Sequence, residues 1–306
     1  MDENRPTPPW VLFVRASRPL LWIGVLLTYW LGAGIADYLG ETIDFGNYLL
    51  GQAWVLALLL SGVYLDGYYT RLSLPAGNRR NPHLGEDENG GQAIPPVNLL
   101  IAGAATLAVA ASLSVLILGQ AHPSQQTLLI MGLAFLGVIA YAVPPLRLVW
   151  SGYGELVAAF LIATLSPALS FLFQTGELHR LLAMSTFPLT ALCMAVFLVF
   201  QLSEYFDELK SDRRTLLVRL GWQRGMLLHN GMIVVAFLLM ALAFTFGLPL
   251  LIGLPAFLSL PLGVLEIWQM RRIADGARPN WPSLKLTAIA LFGATAYLTA
   301  FTYWTR

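Results

Sequence analysis

Glu204, Asp207 and Glu208 in the stretch QLSEYFDELKSDRRTLLVRLG are spaced i, i+3 and i+4, which sets three carboxylates on one face of a helix. Like charges so close repel unless a cation lies between them, and Lys210, Arg213 and Arg214 follow directly. A further acid, Asp66, stands in SGVYLDGYYTRLSLPAGNRRNP, with Tyr64, Tyr68 and Tyr69 beside it and Arg71, Arg79 and Arg80 behind it. Both stretches close long apolar runs, where an unpaired carboxylate is costly and usually lines a cavity or pathway. Two readings fit. In one, the acids are solvated helix ends paired with neighbouring bases, Asp66 with Arg71. In the other they form a divalent site, in which hard Mg2+ takes a few carboxylate oxygens and shares the rest of its shell with phosphate oxygens. The arginines and the lysine would then clamp the same phosphates, and the carbon chain of a diphosphate ester would run into the apolar interior.

The elements that must position these groups are membrane spans. The 306 residues are 57% hydrophobic and 11% charged, with a mean hydropathy of +0.66, whereas a soluble domain carries about 25% charge. So apolar a chain is expected to be an all-α integral membrane protein with little left over for an extramembrane module. Nine stretches are long enough to span: 19–36, 48–68, 95–118, 125–142, 152–174, 183–205, 224–246, 248–268 and 283–304. Gly247 and Pro249 break the seventh from the eighth. Residues 1–306 are thus expected to form a single nine-helix domain, with cap loops at 67–94 and 206–223.

This division makes a prediction about charge. Of the 18 Lys and Arg residues all but Arg180 and Arg306 fall on one side, while the first loop of the other side carries Asp37, Glu41 and Asp44. By the positive-inside rule the N-terminus and the loops after spans two, four, six and eight are cytoplasmic and the C-terminus is outside, as for a bacterial inner membrane protein. The same bias would draw anionic lipid, the plainer reading of Arg271, Arg272 and Arg278.

The remaining candidates are fewer. Arg147, after Pro144 and Pro145, is a cation in a short loop that would meet a diphosphate or a lipid headgroup. Glu155, about one turn into span five, would face a cavity or bond a neighbouring helix, and Glu266 is read as an ion-pair partner of Arg271 or Arg272. The single Cys193 excludes an intramolecular disulfide, and His83, His122, His179 and His229 lack ligand spacing. Trp10, Trp22, Trp30, Trp150, Trp268 and Trp304 lie near span ends, as an interfacial belt would. No glycine-rich phosphate loop or nucleophile elbow is present, and the charge pattern does not suggest nucleic acid.

Three stretches together resemble the UbiA superfamily of intramembrane prenyltransferases, nearest to its menaquinone and chlorophyll synthase-like branch. GVYLD at 62–66 is similar to the first aspartate-rich motif, Asn-Asp-x-x-Asp, with Asp66 as its last acid. YAVPPLRLVWSGYGE at 141–155 is similar to Tyr-Ser-x-Pro-Pro-x-Arg-Leu-Lys followed by Gly-x-Gly-Glu. SEYFDELKSDRRTLLVRLG at 203–221 is similar to Asn-Glu-x-x-Asp and its Arg-Thr-Leu-x-Val-Arg-Leu-Gly tail. Departures are visible: Gly62 and Val63 replace the Asn and Asp, Thr70 or Arg71 stands where a further acid is expected, Val149 replaces a Lys, and the segment from Asp207 to Thr215 is about three residues short.

The resemblance implies a bundle around a central cavity open to the cytoplasmic side. There Mg2+ would assist transfer of a prenyl group from an isoprenyl diphosphate to a lipophilic aromatic acceptor, a quinone precursor or a chlorophyllide-like ring. Asp66, Glu204 and Asp207 would be catalytic, and the same three with Glu208 would hold metal. Arg71, Arg79, Arg80, Arg147, Lys210, Arg213 and Arg214 would bind diphosphate, and Tyr64, Tyr68, Tyr141 and Glu155 would face the acceptor or the allylic cation. Two other readings use the same scaffold: a terpene cyclase, and a non-catalytic isoprenoid- or pigment-binding subunit with partners in a membrane complex.

Overall fold

A computed structural model describes residues 8–73, 94–120, 123–209 and 214–306, leaving the side chains of Gln120 and Asp207 outside the description. Among the described residues nine helical stretches are long and apolar enough to cross a membrane. They are α2 (Pro19–Tyr38), α3 (Phe45–Ser73), α4 (Pro96–Gln120), α5 (Gln125–Ala142), α6 with α7 (Gly154–Phe160 and Ser166–Thr175), α8 (Arg180–Glu208), α10 (Trp222–Thr245), α11 with α12 (Leu250–Gly253 and Leu260–Ala274) and α13 (Trp281–Trp304). The nine stretches agree with the expected spans, including the turn at Gly247 and Pro249. Large apolar side chains such as Ile23, Leu129, Leu238, Leu258 and Leu286 point outward. In water such a surface would associate; in a bilayer it is the surface the solvent requires. The molecule is an all-α, multi-pass integral membrane protein.

Two short helices were not expected from the sequence. α1 (Pro9–Ala16) buries Leu12 and Ala16 in a small cluster with Ile94 and Leu99, against which Phe13, Tyr64 and Tyr68 pack, while Trp10 and Val14 stay exposed. Eight residues are too few for a span, so hydropathy over a spanning window does not reveal it. α9 (Leu216–Leu220) starts at Thr215 and follows the end of α8. Helix α3 runs on to Ser73, so the first cap begins later than residue 67.

The interior packs closely. α2 crosses α7 at Gly32, where an added Cβ would stand 2.0 Å from the Pro167 carbonyl oxygen. Between α6 and α7 the span makes one π turn, Leu161–Leu165. Pro167 just beyond it has no N–H and clashes with the preceding turn, an identifiable cause of such a break. Thr28 of α2 donates to the Ile162 carbonyl at 2.7 Å, satisfying a group the π turn leaves open. Leu161, Ile162 and Leu165 of the turn line a partly open apolar pocket of about 50 Å3, lined also by Val25, Trp54, Leu58, Leu59, Ala134 and Val138.

Candidate functional site

Asp66 lies two turns before the end of α3 and is 1% exposed. A buried carboxylate needs partners, and it has two. Arg18 Nη2 donates to Oδ2 at 3.0 Å, and Thr70 Oγ1, one turn along the same helix, donates to Oδ1 at 3.1 Å. The cation therefore comes from 48 residues upstream and not from Arg71. Arg71 instead donates to the Ile94 carbonyl across the connection to α4, so the local pairing of the first reading is not made.

The fold has a specific device for placing Arg18. It is the corner residue between α1 and α2, with φ 54° and ψ 70°. Pro19 takes the first helical position of α2, where its missing N–H costs nothing, and the corner before it closes in the left-handed region. Ser17 Oγ donates to the Val14 carbonyl at 2.6 Å and Trp22 Nε1 to the Ser17 carbonyl at 2.9 Å, locking the corner. Burial acts to lower the pKa of this guanidinium; Asp66, Tyr141 and Glu204 outweigh burial, and the group is held above its usual value. Tyr141, in the last turn of α5, contributes to that rise. Arg18 thus pairs with Asp66 of α3 and is influenced electrostatically by Tyr141 of α5 and Glu204 of α8.

Arg147 forms the second half. It too has a left-handed backbone, φ 38° and ψ 60°, following a cis Pro144–Pro145 bond. Its Nη1 donates to Ser73 Oγ at 2.8 Å and its Nη2 to Thr70 Oγ1 at 3.3 Å, and the guanidinium stacks 3.8 Å above the Trp150 ring. Thr70 therefore bridges the two arginines through Asp66. Among the described residues Arg18 and Arg147 are the two non-glycine positions with positive φ. Each such residue costs on the order of 1–3 kcal/mol and persists where the surroundings over-determine it, which is commonly a functional site.

The other candidates divide. Glu208 is buried and accepts from Thr215 Oγ1 at 2.7 Å, tying the end of α8 to the start of α9. Glu155 is buried and accepts from Gln201 of α8, one turn before Glu204. Tyr64 and Tyr68 stand two positions either side of Asp66, hence on the opposite face of α3, and pack with α1, Ile94 and Leu99. Arg214 is exposed beside α9. Arg79, Arg80, Lys210 and Arg213 lie outside the described residues, as does the side chain of Asp207. Among the described residues no three His, Cys, Asp or Glu side chains group as a metal site. Lys285 of α13 lies over the Phe200 ring at 4.8 Å, one turn from Glu204, and adds a cation near this end of α8.

Glu266 corrects a further expectation. It meets His229 Nε2 at 2.9 Å, both fully buried between α10 and α12, and not Arg271 or Arg272. His229 lies seven residues into its helix and Glu266 eight from the end of its own, so an antiparallel pairing brings them level. Arg18, the partner of Asp66, was not among the candidates read from the sequence. Its available signal was an arginine immediately before the first span, at the same membrane end as Asp66.

The chain has the fold of solved UbiA homologues. A UbiA homologue from Archaeoglobus fulgidus bound to GPP and Mg2+ is similar with a TM-score of 0.69 at 18% identity, over 96% of this chain and 100% of that one. The same homologue bound to DMAPP and Mg2+ also gives 0.69 at 18% identity, over 96% and 99%. A structure of digeranylgeranylglyceryl phosphate synthase gives 0.66 at 12% identity, over 97% and 99%. No family model matches the sequence, and no curated protein matches it.

Proposed function

We propose that the protein is a Mg2+-dependent prenyltransferase, moving a prenyl group from an isoprenyl diphosphate to a lipophilic aromatic acceptor. The carrying observation is the convergence of Arg18 and Arg147, both in strained backbone, on Asp66 and Thr70 at one end of an apolar bundle. The UbiA fold, seen in a homologue bound to GPP and Mg2+, supports the same reading. Asp66 and Glu204 both act electrostatically on Arg18, and their carboxylates are hard oxygen donors of the kind Mg2+ takes. Those two with Asp207 would hold the ion, and when bound it would neutralise charge on the departing diphosphate.

The chain's own residues do the rest. Arg18 and Arg147 would donate forked hydrogen bonds to phosphate oxygens, which strengthen as charge develops on them. The allylic C–O bond breaks with its electron pair going to diphosphate, the acceptor bonds to the allylic carbon, and the acceptor releases a proton to solvent. Tyr141 would offer a ring face to the allylic cation, and the apolar interior would exclude water that would capture it. We place the site on the cytoplasmic side of a bacterial inner membrane, on the distribution of basic residues.

Diphosphate release by the purified protein in lipid, across prenyl diphosphates with and without Mg2+ and aromatic acceptors, tests this. Release that needs both Mg2+ and acceptor is expected. Acceptor-independent release with a cyclic hydrocarbon would make it a cyclase. One observation favours the non-catalytic reading: both Asp66 oxygens already have protein partners. No release from any donor, with an isoprenoid or pigment retained, would establish a binding subunit.

A further inference from the structure

Helix α1 is apolar on two opposite faces. Leu12 and Ala16, one turn apart, are buried against Ile94 and Leu99, with Tyr64 and Tyr68 of α3 packed on the same cluster. This sets α1 beside the last turns of α3 and the start of α4, at the level where those helices leave the membrane. Trp10 and Val14, also one turn apart, point the other way and are 68% and 42% exposed. Arg15 lies between the two faces and is exposed. The protein supplies one apolar partner, and a helix apolar on both sides needs a second. The outward face continues into α2, where Leu20 and Ile23 are exposed, so the lipid that must cover the spans reaches α1 without a break. A tryptophan and an arginine at a span end are the side chains that settle at headgroup level.

At its other end α1 holds Arg18. The Ser17 and Arg18 N–H groups donate to the Phe13 and Arg15 carbonyls at 2.9 and 3.1 Å, and Ser17 Oγ donates to the Val14 carbonyl at 2.6 Å. The helix therefore runs without slack into the corner whose guanidinium reaches Asp66. Trp22 Nε1 closes the same corner from the α2 side. A shift of α1 is thus passed on to Arg18. Of the eight residues of α1 only Leu12 and Ala16 are buried, a slight hold by protein alone, and lipid on the opposite face completes it.

We infer that α1 is an interfacial anchor: Trp10 and Val14 seat at the acyl-chain boundary of the leaflet on the charged side of the bundle, and this seating keeps Arg18 in place for the diphosphate. The lipid contact stands on the surface of α1, and its effect on the ligand rests on the proposed diphosphate site. The contact is tested with Val14→Cys carrying a fluorophore, in the full chain in lipid nanodiscs. Spin labels high on the lipid acyl chain are expected to quench it about twofold more than labels near the bilayer centre or aqueous iodide. Quenching by iodide alone would put this face in water, and quenching by none of them would show that protein covers it, another segment of the chain or a second copy; either overturns the inference. The coupling is tested by Mg2+-dependent binding of geranyl thiolodiphosphate in the same nanodiscs. Trp10→Ser/Val14→Ser is expected to bind about tenfold more weakly than wild type, with Trp10→Ser alone serving if the double variant does not fold. Trp10→Phe/Val14→Leu should bind as wild type does. So should Leu238→Ser/Leu258→Ser, which removes lipid-facing groups far from α1 in the chain. Unchanged affinity in the serine variants of α1, or an equal loss in Leu238→Ser/Leu258→Ser, overturns the coupling and leaves the proposed function standing. No binding by wild type overturns the proposed function and the coupling with it, while the quenching decides the anchor by itself.

Discussion

Asp66 shows how the fold, and not sequence proximity, chooses a buried acid's partner. One of the two readings of this acid paired it with Arg71, five residues on. Helix geometry denies it: Arg71 turns to the Ile94 carbonyl, while the face of α3 that carries Asp66 and Thr70 meets Arg18 and Arg147. Removing Arg18 would leave a carboxylate that is 1% exposed without its cation. Arg18→Ala is therefore expected to lower stability by about 3 kcal/mol, with most of that recovered in Arg18→Ala/Asp66→Asn, because a buried charge without its partner costs more than the pair contributes. Denaturant unfolding of the four proteins in detergent measures this. Strictly additive losses would show that the two side chains are not coupled.

At the scale of elements, polar groups inside the bundle serve as joints between helices. Thr28 closes the π turn, Thr215 ties α9 to Glu208, and His229 with Glu266 joins α10 to α12. The last joint involves two titratable groups with no exposed surface. His229→Ala is expected to cost about 3–5 kcal/mol by leaving Glu266 unpaired, whereas replacing both by Leu should be close to neutral. Thermal unfolding in detergent distinguishes the two, and equal losses in single and double variants would remove the pair as a joint. The spans themselves were legible because twenty or so apolar residues between charges have few other uses. α1 was not, since its eight residues are stabilised by packing on α3 and α4 and not by their own hydropathy.

For the molecule as a whole, orientation follows from charge and can be measured. Cys193 is the single cysteine and is buried, so it provides little background for thiol labelling. On the positive-inside reading Asp275→Cys, in the turn after α12, should react with an impermeant reagent only from the cytoplasmic face, and Glu177→Cys, before α8, only from the outer face. The opposite pattern would invert the molecule and put the charged cluster on the outer side.

What the sequence by itself determined is what depends on local composition and short spacing: nine spans, the side bearing the bases, and the acids at span ends. Hydrophobic length and charge bias act through the bilayer, which reads each segment independently of the others. Even the resemblance to UbiA proteins rested on three such short stretches. What only the tertiary structure decided is which side chains meet. Arg18 reaches Asp66 across 48 residues, His229 reaches Glu266 across 37, and Val25, Leu59 and Ala134 line one pocket from three helices. The same packing turned Tyr64 and Tyr68 away toward α1 and left Tyr141 acting electrostatically on Arg18. These pairings depend on how each helix is rotated about its own axis, and that rotation is set by side-chain packing against neighbours far away in the chain.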